Sequence, residues 1–384
     1  MENNLSIEEL RKQIDDIDTQ MVKLFCERMQ VAAGVAEYKR QHGLPVLDSN
    51  RERQLLAKVA DMAGEDFGGY AKVLYSNMFA LSKSYQQGIL SGESRLCKFI
   101  TETMEKTPRL FPEVARVACQ GIEGAYSQIA TQKLFDLPQI TYYRSFADVF
   151  DAVEKGECRY GVLPIENSTA GSVTKIFDLI LSHRFYIVKS YRLKVDHNLL
   201  ALPGTNIEDI TDIYSHEQAI NQCAGFIKSL GKVKITVCEN TAEAAKMVAE
   251  SDRCDLAALS SHNCEGLYGL ECIEESVQDK GSNFTRFICI SKNLEIYPGA
   301  DKTSIMAVTA HKPGALYKLM SRFYAYGINL TKLESRPLPD RNFEFMFYFD
   351  LDKTVYSPQL IRLMGELEES CERFEYLGSY SEVV

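Results

Sequence analysis

SIEELRKQIDDIDTQMVKLFCERMQVAAGVAEYKRQHG, Ser6 to Gly43, reads as one uninterrupted helix over about residues 6 to 42. Ile7, Leu10, Ile14, Ile17, Met21, Leu24, Val31 and Val35 recur at spacings of three and four, the period of a helical stripe. Ser6 with Glu9 forms a capping box, and Gly43 with Pro45 stops the run. A second helix is expected from about Asn50 and a third from about Tyr70 to Leu90. Helices so unequal in length do not enclose a core alone. From periodicity alone, the segment is a coiled-coil arm that pairs with a second copy.

The cations on that arm point further. Arg28 and Lys39 are eleven residues apart, so they share a face with a rise of about 16 Å between them, and two long side chains can grip one small anion. Arg11 lies about 25 Å along the axis from Arg28, on a face turned by about 100°. No small metabolite bridges that distance, so Arg11 either serves nothing or enters a site built largely by another chain. LDSNRER, from Leu47, adds Asp48, Arg51 and Glu52, while Ser82 and Gln86 stand at i and i+4 on the third helix. Each alone is a solvated surface residue; together they make a polar interior that a simple coiled coil would not want.

Residues 93–113, ending in KTPRLFPE, read as a linker. From Val114 to about residue 291, short strands such as VARVAC, RYGVLPI, YIVKSYRL and FTRFICIS alternate with helices, as in an α/β domain large enough for two lobes and a cleft. Residues 302–384 follow the order βαββαβ, which gives an α+β ferredoxin-like sandwich.

With 384 residues, 45% hydrophobic and 25% charged, the chain has ordinary globular composition for two or three domains. A net charge of −10 argues against nucleic acid as partner, so an anionic ligand must be held by local cations. No segment approaches the roughly 20 apolar residues of a membrane span. The polar N-terminus MENNLSIEELRKQIDD is not a secretory signal, and eleven cysteines without a C-x-x-C pair suit reduced thiols in the cytoplasm. His262 and Cys264 alone make a poor metal site.

Four segments of the α/β region carry candidate chemistry. GIEGAYS, Gly121 to Ser127, is a glycine turn into a helix with Ser127 as the expected N-cap; it lacks the G-x-G-x-x-G of a dinucleotide loop. PIENSTAGS places Glu166, Asn167, Ser168 and Thr169 before a helix expected near Ser172, whose amides suit a carboxylate. Taken alone, Asn167 and Ser168 more simply cap that helix. YSHEQAINQC offers His216, Gln218 and Gln222, and NFTRF offers Thr285 and Arg286 at a strand start.

Arg11, Arg28, Lys39, Asp48, Arg51, Glu52, Ser82 and Gln86 resemble the site of the all-helical chorismate mutases over residues 5–90. The four later segments resemble prephenate dehydratases over about 114–292, and GALY (Gly314–Tyr317) with ESRP (Glu334–Pro337) resembles their phenylalanine-binding ACT domain. The whole chain is similar to the bifunctional chorismate mutase–prephenate dehydratase family of bacteria. The resemblance implies an all-α three-helix mutase domain at 1–92, a two-lobed, periplasmic-binding-protein-like α/β dehydratase domain at 114–295, and an ACT domain at 302–384.

It implies, too, that chorismate rearranges to prephenate, which loses CO2 and its hydroxyl to give phenylpyruvate, with feedback by phenylalanine and no cofactor or metal. Arg11 of the partner chain, with Arg28 and Arg51, would hold carboxylates; Lys39 and Gln86 would serve the ether oxygen, Glu52 the ring hydroxyl and Ser82 a carboxylate. Gln86 cannot ionise, so no acidic-pH requirement is expected at that position. In the dehydratase, Thr285 would donate to the leaving hydroxyl, Asn167 and Gln222 would orient substrate, and Ser168 with helix amides would meet a carboxylate. Arg286 pairs with substrate or braces the fold with equal weight, and Glu166 reads as structural. Gly314, Ala315, Leu316, Glu334, Ser335 and Arg336 would bind phenylalanine, and the protein would be a homodimer or higher homo-oligomer.

Two other readings stay open on the residues. A non-catalytic amino-acid sensor would share the lobes, the ACT domain and the helical arm. A mutase coupled to prephenate dehydrogenase would need the missing dinucleotide loop.

Overall fold

The computed structural model describes residues 6–44, 48–90, 94–338 and 344–384; Pro45 and Leu47 lie outside them. Ser6 opens α1 (Ile7–His42) with the full capping box: its hydroxyl accepts from the Glu9 amide, and the Glu9 carboxylate accepts from the Ser6 amide. Gly43 closes the helix in the left-handed conformation, as expected of a glycine stop. Ile14, Ile17, Met21, Leu24 and Val31 are all exposed in the single chain.

The second and third helices are one continuous run, α2 (Ser49–Leu90), broken only by Gly64 at φ 73°. That break falls before the expected boundary near Tyr70. It reverses the chain: a Cβ on Gly68 would stand 3.1 Å from the Ala60 carbonyl, so the two arms of α2 close on each other beside the turn. Within the span read as a linker, α3 (Arg95–Lys106) is a helix that buries Cys97, Ile100 and Thr103 at a spacing of three. No helix among the described residues is long and apolar enough to cross a membrane.

The α/β region begins with β1 (Val114–Gln120), α4 (Tyr126–Leu134), β2 (Leu137–Tyr143), α5 (Phe146–Glu154) and β3 (Tyr160–Asn167). It continues through β4 (Gly171–Ser172), α6 (Thr174–Ser182) and β5 (Tyr186–Lys194). The chain then builds β6 (Asn198–Ala201), β7 (Asp212–Ser215), α7 (Glu217–Gln222), α8 (Ala224–Ser229), β8 (Lys234–Val237) and α9 (Thr241–Ala249). After β9 (Leu256–Ser260), α10 (Asn263–Tyr268) and β10 (Glu271–Glu274), it returns as β11 (Phe284–Ser291).

Two sheets result. One contains the order β5-β11-β3-β1-β2, and the other has the order β10-β6-β9-β7-β8. Only two stretches pass between them, from β5 to β6 and from β10 to β11, which is the plan of two lobes on a double hinge. The hinge strands are tied together: Val195 N–H donates to the Asn283 carbonyl and Val277 N–H to the His197 carbonyl, each at 2.8 Å.

The C-terminal region runs β12 (Lys302–Val308), α11 (Ala315–Ala325), β13 (Asn329–Pro337), β14 (Phe345–Asp352), α12 (Pro358–Ser370), β15 (Arg373–Tyr380) and β16 (Glu382–Val383). Its antiparallel sheet has the order β13-β14-β12-β15, the arrangement of a βαββαβ sandwich. The sheet shares a core with the first lobe, where Met306, Val308, Met346 and Tyr348 join Ile176, Phe177 and Ile187. Gly378 (φ 129°) permits the approach of β15 to β5, since a Cβ there would lie 2.3 Å from the Ile187 carbonyl oxygen. By packing, the chain forms two compact units. One holds residues up to Phe99 with Thr309–Gly327 and Ile361–Glu372; the other holds Ile100–Val308, Ile328–Leu360 and Arg373–Val384.

Two expected caps are corrected. Ser127 is not the N-cap of its helix: α4 starts at Tyr126, with Ala125 at the cap, and Ser127 is buried in the first turn. The amide of Gly124 is instead met by the Gln128 side-chain carbonyl at 2.6 Å. Asn167 and Ser168 cap no helix either, because β3 extends through Asn167 and turns back into β4 before α6 begins at Thr174.

Candidate active sites

The antiparallel register sets Thr285 directly opposite Asn167, at the hinge end of β11 and β3. The Asn167 carbonyl oxygen accepts from the Thr169 and Ala170 amides at 3.0 and 2.9 Å, and from the Thr169 hydroxyl at 2.7 Å. Its amide nitrogen therefore faces the other way. It donates to Thr285 Oγ1 at 2.9 Å and to Asn283 Oδ1 at 2.7 Å. Every hydrogen-bonding position of Asn167 is thus taken by protein. It ties Thr285 to the turn at Thr169 and Ala170.

Thr285 Oγ1 accepts that bond, so its own hydrogen remains to be donated. Gln222, from α7, donates to Thr169 Oγ1 at 2.7 Å. Its carbonyl accepts from Asn283 Nδ2 and from His197 Nε2, both at 2.9 Å. One hydrogen of the Gln222 amide is left over, and Gln222 lines a cleft of about 520 Å³ with Thr169, Ala170, His216, Lys280 and Asn283. Thr285 is half-buried and is joined to this lining by two hydrogen bonds, since Asn167 donates both to Thr285 and to Asn283. Burial lowers the pKa of both His197 and His216, so neutral imidazoles face this site near neutral pH.

Ser168 is spent elsewhere. Its hydroxyl donates to the Ser282 carbonyl at 3.0 Å and accepts from the Phe284 amide at 2.9 Å, pinning β3 to β11 instead of joining helix amides. Arg286 follows Thr285 on the same strand and so points to the opposite face. It is buried and paired with Asp350 of β14 at 2.5 Å and with Glu166 at 2.9 Å; the Glu166 contact is an ion pair without hydrogen-bond alignment. Between the two equal readings of Arg286, the structure selects the brace. Glu166 is held also by Lys332 at 2.6 Å.

The same face of β13 carries two of the expected effector residues. Glu334 accepts from the Ser172 hydroxyl at 2.6 Å, and Arg336 forks onto Asp178 with both bonds at 2.8 Å. Ser335 is exposed on the other face. Gly314 adopts φ 78° as the N-cap of α11, placing Ala315 and Leu316 in the first turn.

In the helical unit, Phe79, Ser82 and Gln86 stand at i, i+3 and i+7 on one face of α2. The Arg28 guanidinium rests over the Phe79 ring, 5.6 Å from its centre. Ser82 and Gln86 are buried and bonded to each other at 3.1 Å. Arg28 Nη1 and Gln86 Oε1, one on each helix, are both buried without a hydrogen-bond partner. An unmet buried polar group costs about 1–3 kcal/mol, a cost that a polar ligand bound here would remove. Glu52 meets Lys83 at 2.8 Å, which requires the turn at Gly64, since a straight helix would separate them by about 47 Å. Lys83 carries no local signal in the sequence, because only the turn at Gly64 brings it to Glu52. Asp48 caps α2 by accepting from the Arg51 amide at 3.0 Å, and Arg11 and Arg51 are exposed while Lys39 is half-buried.

Comparison with known proteins now decides the chemistry. Residues 10–87 match the family model Chorismate mutase type II, and residues 117–295 match Prephenate dehydratase. A bifunctional chorismate mutase/prephenate dehydratase of Aquifex aeolicus (strain VF5) is 32% identical, over 97% of this chain and 97% of its own. The chain belongs to the bifunctional chorismate mutase/prephenate dehydratase family.

Among solved structures, prephenate dehydratase from Arthrobacter aurescens in complex with L-Phe has a TM-score of 0.64 at 26% identity, covering 69% of this chain and 90% of that one. A protein described as GqqA, a novel type of quorum quenching acylase, has a TM-score of 0.63 at 33% identity, covering 70% of this chain and 98% of that one. Two different activities share this fold, so the reaction is fixed by the family models and the full-length relative rather than by shape. The chain is a chorismate mutase and a prephenate dehydratase, serving phenylalanine biosynthesis.

Proposed function

We propose that dehydration of prephenate is driven by Thr285 as hydrogen-bond donor to the departing C4 hydroxyl. The observation that carries this reading is the bond from Asn167 Nδ2 into Thr285 Oγ1, which leaves the threonine hydrogen for substrate. As the ring carboxylate leaves as CO2, its electron pair aromatises the ring and expels the hydroxyl, which takes a proton and departs as water. An isolated threonine is a very weak acid, so the proton is relayed from solvent through a positioned donor rather than held in advance. Gln222 turns its spare N–H toward the cleft to orient substrate.

For the mutase, Arg28 and Arg51 hold carboxylates, Lys39 and Gln86 serve the ether oxygen, Glu52 the ring hydroxyl and Ser82 a carboxylate, with Asp48 fixing the start of α2. If the Gln86 amide turns over, Ser82 can donate to Oε1 and the amide N–H faces the interior, which is the donor an ether oxygen requires. No covalent intermediate is needed; the cations select the reactive conformer and stabilise developing charge. Arg11 enters from a second copy, supported by the exposed apolar stripe on α1. Ile14→Glu combined with Met21→Glu is expected to separate paired α1 helices and to lose mutase activity while prephenate turnover persists. Sedimentation with both assays checks this; full mutase activity in separated chains would return Arg11 to the surface.

The functional segments are 1–92 for the mutase, 114–295 for the dehydratase and 302–384 for an ACT domain. The L-Phe complex of the Arthrobacter relative and the βαββαβ sheet order support phenylalanine as effector at Gly314–Leu316 and Glu334–Arg336. The site of action is the cytoplasm and the state a homodimer or higher homo-oligomer. Purified protein should convert chorismate to phenylpyruvate without added cofactor, and phenylalanine should slow it. Phenylalanine binding without any turnover would favour the sensor reading instead.

A further inference from the structure

His197 lies on the hinge stretch between β5 and β6, only 3% exposed, and belongs to none of the motifs that mark the dehydratase site. Its hydrogen-bonding state can be deduced without seeing a hydrogen. The Thr169 and Ala170 amides are donors only, so the group they meet is the Asn167 carbonyl. Asn167 Nδ2 must then donate to Asn283, whose accepting atom is Oδ1. That leaves Asn283 Nδ2 to donate to Gln222, whose accepting atom is Oε1. The second group at Gln222 Oε1 is His197 Nε2 at 2.9 Å, which must therefore carry a hydrogen.

The rest of the imidazole is equally constrained. Nδ1 faces the Tyr126 hydroxyl at 3.4 Å, and that hydroxyl already donates to the Asp196 carbonyl at 2.6 Å. Tyr126 also meets the ring edge-on, with centroids 5.9 Å apart. The His197 main chain is fixed from the other hinge stretch, since its amide donates to Gln278 Oε1 at 2.8 Å. The ring is thus clamped on three sides, and its one strong side-chain bond goes to Gln222.

We propose that His197 is a positioning residue for the dehydratase: its Nε2–H holds the Gln222 carbonyl, so that the Gln222 amide presents its N–H groups to Thr169 and to substrate. Without that donor, Asn283 alone holds the Gln222 carbonyl and Thr169 alone holds its amide nitrogen, so the amide turns more readily, and a turned amide puts a carbonyl where an N–H is needed. This inference rests on the placement of the dehydratase site at Thr285 and Gln222.

The test is a cycle in the full-length protein, using prephenate turnover by the single variants His197→Met and Gln222→Ala and by the double variant. His197→Met should lower kcat/KM by at least about tenfold, the effect of one well-placed hydrogen bond, and His197→Gln, which keeps a donor, should recover most of it. Added to Gln222→Ala, His197→Met should cost no more than about a further twofold, because the two residues act through one contact. An equal loss in both backgrounds, or no loss in the single variant while Gln222→Ala is crippled, overturns the role of His197 alone. If Gln222→Ala itself turns over prephenate normally, the site assignment falls and this inference falls with it. Folding of the variants is not a way out: in the native protein, nitrogen NMR of the imidazoles should find His197 as the Nε2–H tautomer at neutral pH. A Nδ1–H tautomer overturns the proposal.

Discussion

Thr285→Ala is expected to lower kcat for prephenate by about 10²- to 10⁴-fold, the usual range for losing a positioned acid–base group, with KM nearly unchanged. The split follows from geometry. Asn167 fills the acceptor side of the Thr285 hydroxyl, so that the lost group is the hydrogen aimed at the departing oxygen, a contact that strengthens only as the C–O bond breaks. Thr285→Ser keeps the hydroxyl beside Asn167 and should return most of the rate. Chorismate rearrangement should be untouched in both variants. Stopped assays on chorismate and on added prephenate separate these outcomes, and a Thr285→Ala enzyme with near-normal prephenate turnover would assign leaving-group protonation to another donor.

Arg28→Ala should do the reverse, reducing mutase activity by about 10²- to 10³-fold while sparing prephenate turnover, by analogy with removal of one charge-stabilising donor. Arg28→Lys should rescue poorly, because a single ammonium cannot reproduce a forked guanidinium at a carboxylate. Stability makes the sharper test. Arg28 Nη1 is buried without an acceptor, and the contact of the guanidinium with Phe79 is worth only about 0.5–1 kcal/mol, so deleting the side chain should leave the melting temperature nearly unchanged. Large loss of activity with unchanged melting marks a group kept for ligand at the expense of stability. Strong destabilisation with surviving mutase activity would make Arg28 structural.

Much of the architecture was legible along the chain because its signals are local. The capping box at Ser6, the left-handed stop at Gly43 and the three-and-four spacing between them act within a few residues, and α1 has the expected bounds. Likewise, the strands around YGVLPIEN and NFTRF and the βαββαβ order follow from apolar runs and turns. What went unread was of two kinds. The helix Arg95–Lys106 has a clear spacing of three, but the prolines that follow it make the whole span read as a linker. Asn167 and Ser168 differ from expectation because a polar residue before a helix is also what a strand-to-strand turn uses, and sequence does not separate the two, whereas at Ser127 the helix simply starts one residue earlier, at Tyr126.

By itself, then, the sequence determined that α1 is a long helix with an apolar stripe and a distant arginine, and that Thr285 stands at a strand start beside a site-forming motif. Alternation along β11 also required Thr285 and Arg286 to face opposite ways. Which face held the cleft depended on β14, whose Asp350 lies 64 residues further on and draws Arg286 into a buried ion pair. The same holds for Lys83 on Glu52 and for His197 on Gln222, partners 31 and 25 residues apart that only a turn and a hinge bring together. Periodicity and capping are encoded within a few residues, whereas the state of a buried polar group is set by every donor and acceptor packed around it.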